Sequence, residues 1–319
     1  MLRRSLLALP ALLPSLARAQ TAQPPLVVAS FSILGDLVAQ VAGDLVRLRV
    51  IAGPDVDAHG FAPRPSDAQA LRGAALVVRN GLGFDAWIDR MLRAAGHRGA
   101  VLTATDGIAP LTMEDAHGHG HAHAHDHGGA GRRRGHAVGP RQVPDPHAWQ
   151  DLRHGAQYLR TIAAALSAAI PAHAGAFAAR AEAATTRLAA LDGWVRAQIA
   201  TVPEARRKVV TSHDAFGYFA AAYGVTFLAP QGVSTEAEPS AADVAVLIRQ
   251  IRAEGLTAVF LENMANPATL TRLAEEAGVT VRGRLYADAL SAPGGPAPSY
   301  EAMFRHNVGL LVPAMRGQA

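Results

Sequence analysis

The 319-residue chain contains no cysteine. No disulfide can form and no sulfur is available to carry a lipid at a processing site, so the fold must stand on its apolar core alone. Long hydrophobic runs are missing too. The longest apolar stretch, residues 5–16, falls well short of the ~20 residues that a bilayer-spanning helix needs. Excess charge is the third absence. The formal charge of +4 includes Arg3, Arg4 and Arg18 at the extreme N-terminus, and without those three it is +1, which removes the electrostatic case for a nucleic-acid partner. Arg132, Arg133 and Arg134 sit in a glycine- and histidine-rich setting and read as a solvated linker. No internal repeat of 20–50 residues is visible, which argues against a solenoid.

What is present begins with an export signal. Met1-Leu2-Arg3-Arg4, the apolar 5–16 segment and Ala17-Arg18-Ala19 follow the charged, apolar, small-residue order of a secretory signal peptide over residues 1–19. A mature chain from Gln20, exported, soluble and not lipid-anchored, is expected. About 300 remaining residues, in a chain that is 50% hydrophobic, favour two domains over one.

Hydrophobic patterning alternates between strand and helix. Strands are expected at 26–31, 46–51, 75–78 and 100–103, with helices at 33–41, ended by Gly43, and at 85–95; Ser66 is a plausible N-cap between them. Residues 112–142 lack apolar periodicity and are expected to form a mobile loop without core elements. Helices follow at 151–169 and, after Pro171, on to about residue 200. Alternation then restarts with strands at 208–211, 225–228, 257–261 and 279–285 and helices at 215–223, 240–254, 267–277 and 300–315. The expected architecture is α/β, two lobes joined by a long rigid helix. The expected divisions are an N-terminal lobe at 20–170 that includes the 112–142 loop, a linking helix at 171–201 and a C-terminal lobe at 202–319.

Six histidines alternate with small residues: His117, His119, His121, His123, His125 and His127. Imidazoles presented this densely on a segment with nothing to pack are useful chiefly as loose, low-affinity metal ligands. A tighter site follows from a topological rule, that open α/β sheets bind ligands beyond the carboxyl ends of their strands. His59, after the second strand, His213, directly after Val209-Val210-Thr211-Ser212, and Asp288, after Arg284-Leu285-Tyr286-Ala287, obey it. His147, in Asp145-Pro146-His147, is presented from extended backbone because Pro146 disfavours helix at Asp145. Each of the four alone has an ordinary alternative as a hydrogen-bonding partner or helix cap. Together they offer three imidazoles and a carboxylate, two from each lobe, a donor set suited to tetrahedral zinc and poor for copper(I), which favours sulfur. Glu262 faces the same cleft and is either an acceptor that orients a ligand histidine or a salt-bridge or capping residue. His97, His154, His173 and His306 lie on or beside helices, where solvated or capping roles are expected.

The segment from Asp57 to Asp67, Asp57-Ala58-His59-Gly60-Phe61-Ala62-Pro63-Arg64-Pro65-Ser66-Asp67, resembles the first ligand segment of the cluster A-I (cluster 9) metal receptors that feed ABC importers. Asp145-Pro146-His147-Ala148-Trp149 and Ser212-His213-Asp214-Ala215-Phe216-Gly217-Tyr218 resemble the second and third, Glu238-Pro239-Ser240 follows in place, and Tyr286-Ala287-Asp288-Ala289-Leu290 resembles the fourth. The resemblance implies Rossmann-like lobes tied by a long helix, one metal held at His59, His147, His213 and Asp288, and delivery in the periplasm to a membrane permease. Histidine rather than glutamate at 213, and the histidine tract between the first and second ligands, imply the zinc-type branch. Some zinc-type members carry glutamate just before the first ligand; Ala58 stands there, which makes Asp288 the better fourth ligand. Others carry a disulfide in the second lobe, which this chain cannot make.

The expected action is therefore capture of Zn²⁺ and hand-over to an ABC permease in the inner membrane, by a monomer that catalyses no reaction. A zinc hydrolase with Glu262 as general base, which would need an open coordination position, and a periplasmic zinc buffer without a transporter are the alternatives.

Overall fold

The structure is a computed structural model that describes residues 23–115, 141–236, 238–264 and 266–318. The expected signal peptide and the six histidines from His117 to His127 lie outside the described residues.

The first sheet is built from β1 (Leu26–Phe31), β2 (Arg47–Ala52), β3 (Leu76–Arg79) and β4 (Ala100–Thr103), all parallel, in the order β2-β1-β3-β4. Helices α1 (Ser32–Ala42), α2 (Pro65–Arg72) and α3 (Trp87–Ala95) form its crossovers. β1 reads Leu-Val-Val-Ala-Ser-Phe with its last five residues buried, the continuous apolar run of a strand covered on both faces. Gly43 ends α1 at φ 55°, a conformation that needs no Cβ.

Several boundaries shift by one to three residues from expectation, and three differences have evident local reasons. Ser66 is not the N-cap of α2: Arg64 occupies that position and Pro65 the first turn, where a missing N–H costs nothing, while the Asp67 carboxylate accepts from Arg64 N. Helix α3 starts at Trp87 rather than at 85, because the Asp85 carboxylate turns back to accept from Asn80 N and Gly81 N. The 112–142 segment is not without order at its ends: β5 (Thr112–Asp115) pairs antiparallel with β6 (Arg141–Pro144).

Helix α4 (Leu152–Ala169) is N-capped by Asp151, which accepts from Arg153 N. Helix α5 (Ala174–Ala200) follows, and its 27 residues span about 40 Å at 1.5 Å per residue. Its buried residues, Phe177, Ala181, Ala184, Leu188, Leu191, Val195 and Ile199, fall three or four apart and form one continuous seam.

The second sheet, β10-β9-β7-β8, is also parallel. It comprises β7 (Lys208–Val210), β8 (Thr226–Leu228), β9 (Val259–Glu262) and β10 (Val281–Leu285), connected by α6 (Gly217–Tyr223), α7 (Ala241–Glu254) and α8 (Pro267–Ala277) and followed by α9 (Tyr300–Met315). Ser240, Asn266 and Ser299 cap α7, α8 and α9 through their side chains. The main core runs without a break from the first sheet through α4, α5, α6 and α9 to Leu285 and Ala287; a smaller one lies beneath α7 and α8. Among the described residues no helix is long and apolar enough to cross a membrane.

Candidate metal centre

The four expected ligands meet. His59, His147, His213 and Asp288 each offer one donor atom, and these atoms lie within 4.8 Å of one another. His59 Nε2 is 3.3 Å from His147 Nε2 and 3.2 Å from Asp288 Oδ2. Asp288 Oδ1 is 3.5 Å from His147 Nε2, and Asp288 Oδ2 is 3.0 Å from His213 Nε2. A tetrahedral zinc ion with ligand bonds of ~2.0–2.2 Å separates its donors by about 3.3–3.6 Å, and the four distances above, 3.0–3.5 Å, are of that order. Among the described residues no other group of three or more such side chains gathers in this way.

The topology explains the convergence. His59 lies on the loop after β2, His213 three residues beyond β7, and Asp288 three residues beyond β10, so the carboxyl ends of the two parallel sheets face one another. His147 arrives differently, from the turn after β6. Asp145 Oδ1 accepts from His147 N at 2.9 Å and lies 2.8 Å from His147 Nδ1, so one carboxylate fixes both backbone and ring. Asn80 Nδ2 donates to Pro146 O at 2.9 Å and Tyr218 Oη donates to Asp145 O at 3.0 Å. A Cβ on Gly217 would come within 2.6 Å of Asp145 Oδ2, so glycine at the start of α6 leaves room for that carboxylate.

Glu262, at the end of β9, stands behind His213 in a related way, its contact with the ring being an ion pair rather than a hydrogen bond of regular geometry. Its Oε1 accepts from Ser212 N at 2.8 Å and His213 N at 2.9 Å, and Oε2 lies 2.5 Å from His213 Nδ1. With Nδ1 of both histidines turned to a carboxylate, Nε2 is left to face the centre. His59 is held by its backbone, with Asp57 Oδ1 accepting from His59 N at 2.8 Å and Trp87 Nε1 donating to Ala58 O at 2.8 Å. Asp288 is positioned through the preceding carbonyl, since Trp149 Nε1 and Gln150 Nε2 both donate to Ala287 O at 2.9 Å.

His147, His213 and Asp288 are wholly buried, and His59 nearly so. Neither Asp288 oxygen accepts a hydrogen bond of regular geometry, and His213 Nε2 makes none. A buried carboxylate without a donor is costly, and a cation at the point where these atoms converge removes the cost. The protonation pattern expresses the same tension. Burial pulls His147 down, but the Asp288 charge and the Asp145 carboxylate prevail and hold it up at about 9. His213 lies well above its ordinary value, burial being overcome by Glu262 and Asp288. Burial raises Asp288, yet His147 and His213 hold it well below the usual carboxylate range. Burial wins only at His59, which is lowered.

Asp145 is the residue at this centre that sequence reasoning missed, and the sequence carried a signal for it: Asp57-Ala58-His59 and Asp145-Pro146-His147 share an aspartate two residues before the histidine, bonded to its N–H. The other described histidines stay apart from the centre. His97 Nδ1 donates to Leu71 O, His306 Nε2 donates to Arg284 O, and His154 packs edge-on against Tyr218.

Comparison with known proteins follows the same lines. The sequence profile described as ZnuA, zinc-uptake complex component A, periplasmic, matches residues 27–314. The manganese-binding lipoprotein MntA of Halalkalibacterium halodurans is 29% identical over 286 residues, which cover 90% of this chain and 87% of the relative. The iron-binding protein YfeA of Yersinia pestis is 28% identical over 289 residues, 90% of this chain and 85% of the relative. The solved structure of the periplasmic zinc-binding protein TroA of Treponema pallidum superposes with a TM-score of 0.80 at 28% identity, covering 92% of this chain and 99% of that one.

Proposed function

This chain belongs to the ZnuA family, the periplasmic component A of zinc-uptake complexes, and from that membership and the four-donor cage we propose that it is a periplasmic zinc receptor. It captures one Zn²⁺ between its lobes through His59, His147, His213 and Asp288 and presents it to an ABC-type permease in the inner membrane. We read residues 20–170 and 202–319 as the lobes and 171–201 as their link, a division that the two separate sheets support.

The observation that carries the reading is the donor set at its measured spacing. Three imidazole nitrogens and one carboxylate oxygen suit zinc, whereas the harder manganese ion favours more oxygen. Relatives with similar chains are named for manganese and iron as well, so the chemistry of these four side chains, rather than kinship, supports zinc. The signal-peptide pattern of residues 1–19 supports export, and the absence of cysteine argues against a sulfur-linked lipid anchor. The histidines from 117 to 127 are read as an auxiliary, low-affinity collector.

A receptor is favoured over a hydrolase because Glu262, the available general base, is already committed to Ser212 N, His213 N and His213 Nδ1. Four protein donors also close a tetrahedral sphere, leaving no position for an activated water. Metal analysis of protein purified without added metal, with competition among Zn²⁺, Mn²⁺ and Cu²⁺, tests the proposal. One tightly held Zn²⁺ that tenfold excess Mn²⁺ does not displace is expected; preferential retention of Mn²⁺ overturns the zinc assignment.

A further inference from the structure

Two of the four donors are linked by a route that does not pass through the centre. Beyond β8, Gln231 forms a parallel bridge with His213, and Asp214 N donates to Gly232 O at 3.2 Å, so the 231–232 segment is fixed to the His213 side. Three residues on, Thr235 Oγ1 donates to Asp57 Oδ2 at 2.6 Å. The other oxygen of that carboxylate, Oδ1, holds His59 N. Asp57 thus grips the backbone of one donor with one oxygen and the opposite half of the molecule with the other.

His59 is also the one of the three histidines with the least support of its own. His147 and His213 each have a buried carboxylate against Nδ1, and both are fully enclosed, whereas His59 retains 9% exposure. A cavity of about 790 Å³ opens beside it, lined by His59, Phe61, Phe84, Trp87, Ser234 and Glu236. His147, His213 and Asp288 do not line it. Ser234 and Glu236 flank Thr235, so the cavity mouth and the cross-lobe bond belong to one segment.

We propose that the metal enters and leaves past His59, and that the Thr235–Asp57 hydrogen bond is the latch that holds this donor in place while the ion is bound. Separation of the halves at Thr235 frees the 57–59 turn first, and the ion loses His59 before the carboxylate-backed histidines let go. Thr235 is a positioning residue that never touches the ion. The inference rests on the receptor reading given above.

The test is the rate at which zinc-loaded protein yields Zn²⁺ to an excess of a chromogenic chelator, followed by stopped flow in the wild type and in Thr235→Val, Thr235→Ala and Thr235→Ser. Loss of one hydrogen bond to a carboxylate accelerates release roughly tenfold in the valine and alanine variants. Serine, which keeps the hydroxyl, restores release to within about twofold of wild type by the same reasoning. Metal-free melting temperatures differ by no more than the few degrees that one hydrogen bond is worth in a chain of this size, which separates a latch from general destabilisation. Equal release by valine and wild type, or serine as fast as valine, overturns the latch. If the wild type takes up no Zn²⁺, the receptor reading itself falls, and the latch with it.

Discussion

Glu262 Oε2 lies 2.5 Å from His213 Nδ1 while Oε1 of the same carboxylate accepts from the His213 backbone N–H at 2.9 Å, so one side chain stands against both the ring and the main chain of His213. Asp145 repeats the arrangement at His147, with a single oxygen serving N at 2.9 Å and Nδ1 at 2.8 Å. A carboxylate behind an imidazole sets its tautomer and strengthens it as a donor. Each half of the molecule therefore brings one histidine locked in advance, and the cost of ordering these donors is met by the fold rather than by the ion.

Glu262→Gln preserves shape and leaves an acceptor for Ser212 N and His213 N but removes the charge behind Nδ1. Zinc affinity falls about 10–100-fold, the usual cost of losing such a partner, while the circular dichroism spectrum is unchanged. Chelator-competition titration measures the loss. An affinity equal to wild type would mean that Glu262 is only structural.

The convergence of the four side chains was legible because parallel strands carry residues at their carboxyl ends to a common crevice, so position in the strand pattern was enough to place His59, His213 and Asp288 there. The order of strands and helices was legible from apolar patterning, except along α5, where an alanine-rich run of good helix formers was the signal. The short β5–β6 ladder was not, because Arg141–Pro144 has no apolar alternation and its pairing with Thr112–Asp115 is set by closure of the chain. Helix starts were misplaced where a side chain took a backbone N–H from outside the helix, as Asp85 does. Thr235 and Asp57 stand 178 residues apart, and no local pattern announces a bond that two lobes make only when folded together.

His213→Ala removes a buried donor and leaves Glu262 without its imidazole. Titration calorimetry is expected to show loss of the high-affinity event, with the weak events of the histidine tract retained. Deletion of residues 117–127 does the reverse, keeping one tight site and removing the weak ones. Equal losses in the two variants would reject the assignment of the tight site to the cage.

Trp149→Phe keeps a ring against Phe31 and Phe84, at centroid distances of 5.0 and 4.8 Å in the wild type, but deletes the N–H that reaches Ala287 O together with part of the volume of a wholly buried indole. Gln150 still serves that carbonyl, so it is not left unsatisfied. A stability loss of about 1.5–3 kcal/mol by urea denaturation is expected, the hydrogen bond and the vacated volume together. A loss below about 0.5 kcal/mol would show that neither of them holds this contact.

Acid opposes metal capture, and the direction follows from the two locked histidines. In the metal-free protein His147 keeps its proton up to about 9 and His213 is raised further than its ordinary value allows, whereas both must be neutral to bind an ion. Zinc uptake at pH 7 therefore expels protons, and apparent affinity climbs from pH 6 toward pH 9. Asp288, held well below its ordinary value, stays ionised throughout and adds no dependence in that range. The same linkage acts on stability with a definite sign. A histidine whose folded value of about 9 exceeds its unfolded value of 6.5 stabilises the metal-free fold fully below pH 6.5, and that contribution fades as pH rises through 9. Calorimetric titrations in buffers of different ionisation enthalpy count the protons released, and melting curves from pH 6 to 9 with and without zinc follow the linkage. Zinc binding that releases no protons at pH 7 would contradict the raised histidines, and the gap between metal-free and zinc-loaded melting temperatures is expected to widen as the pH rises.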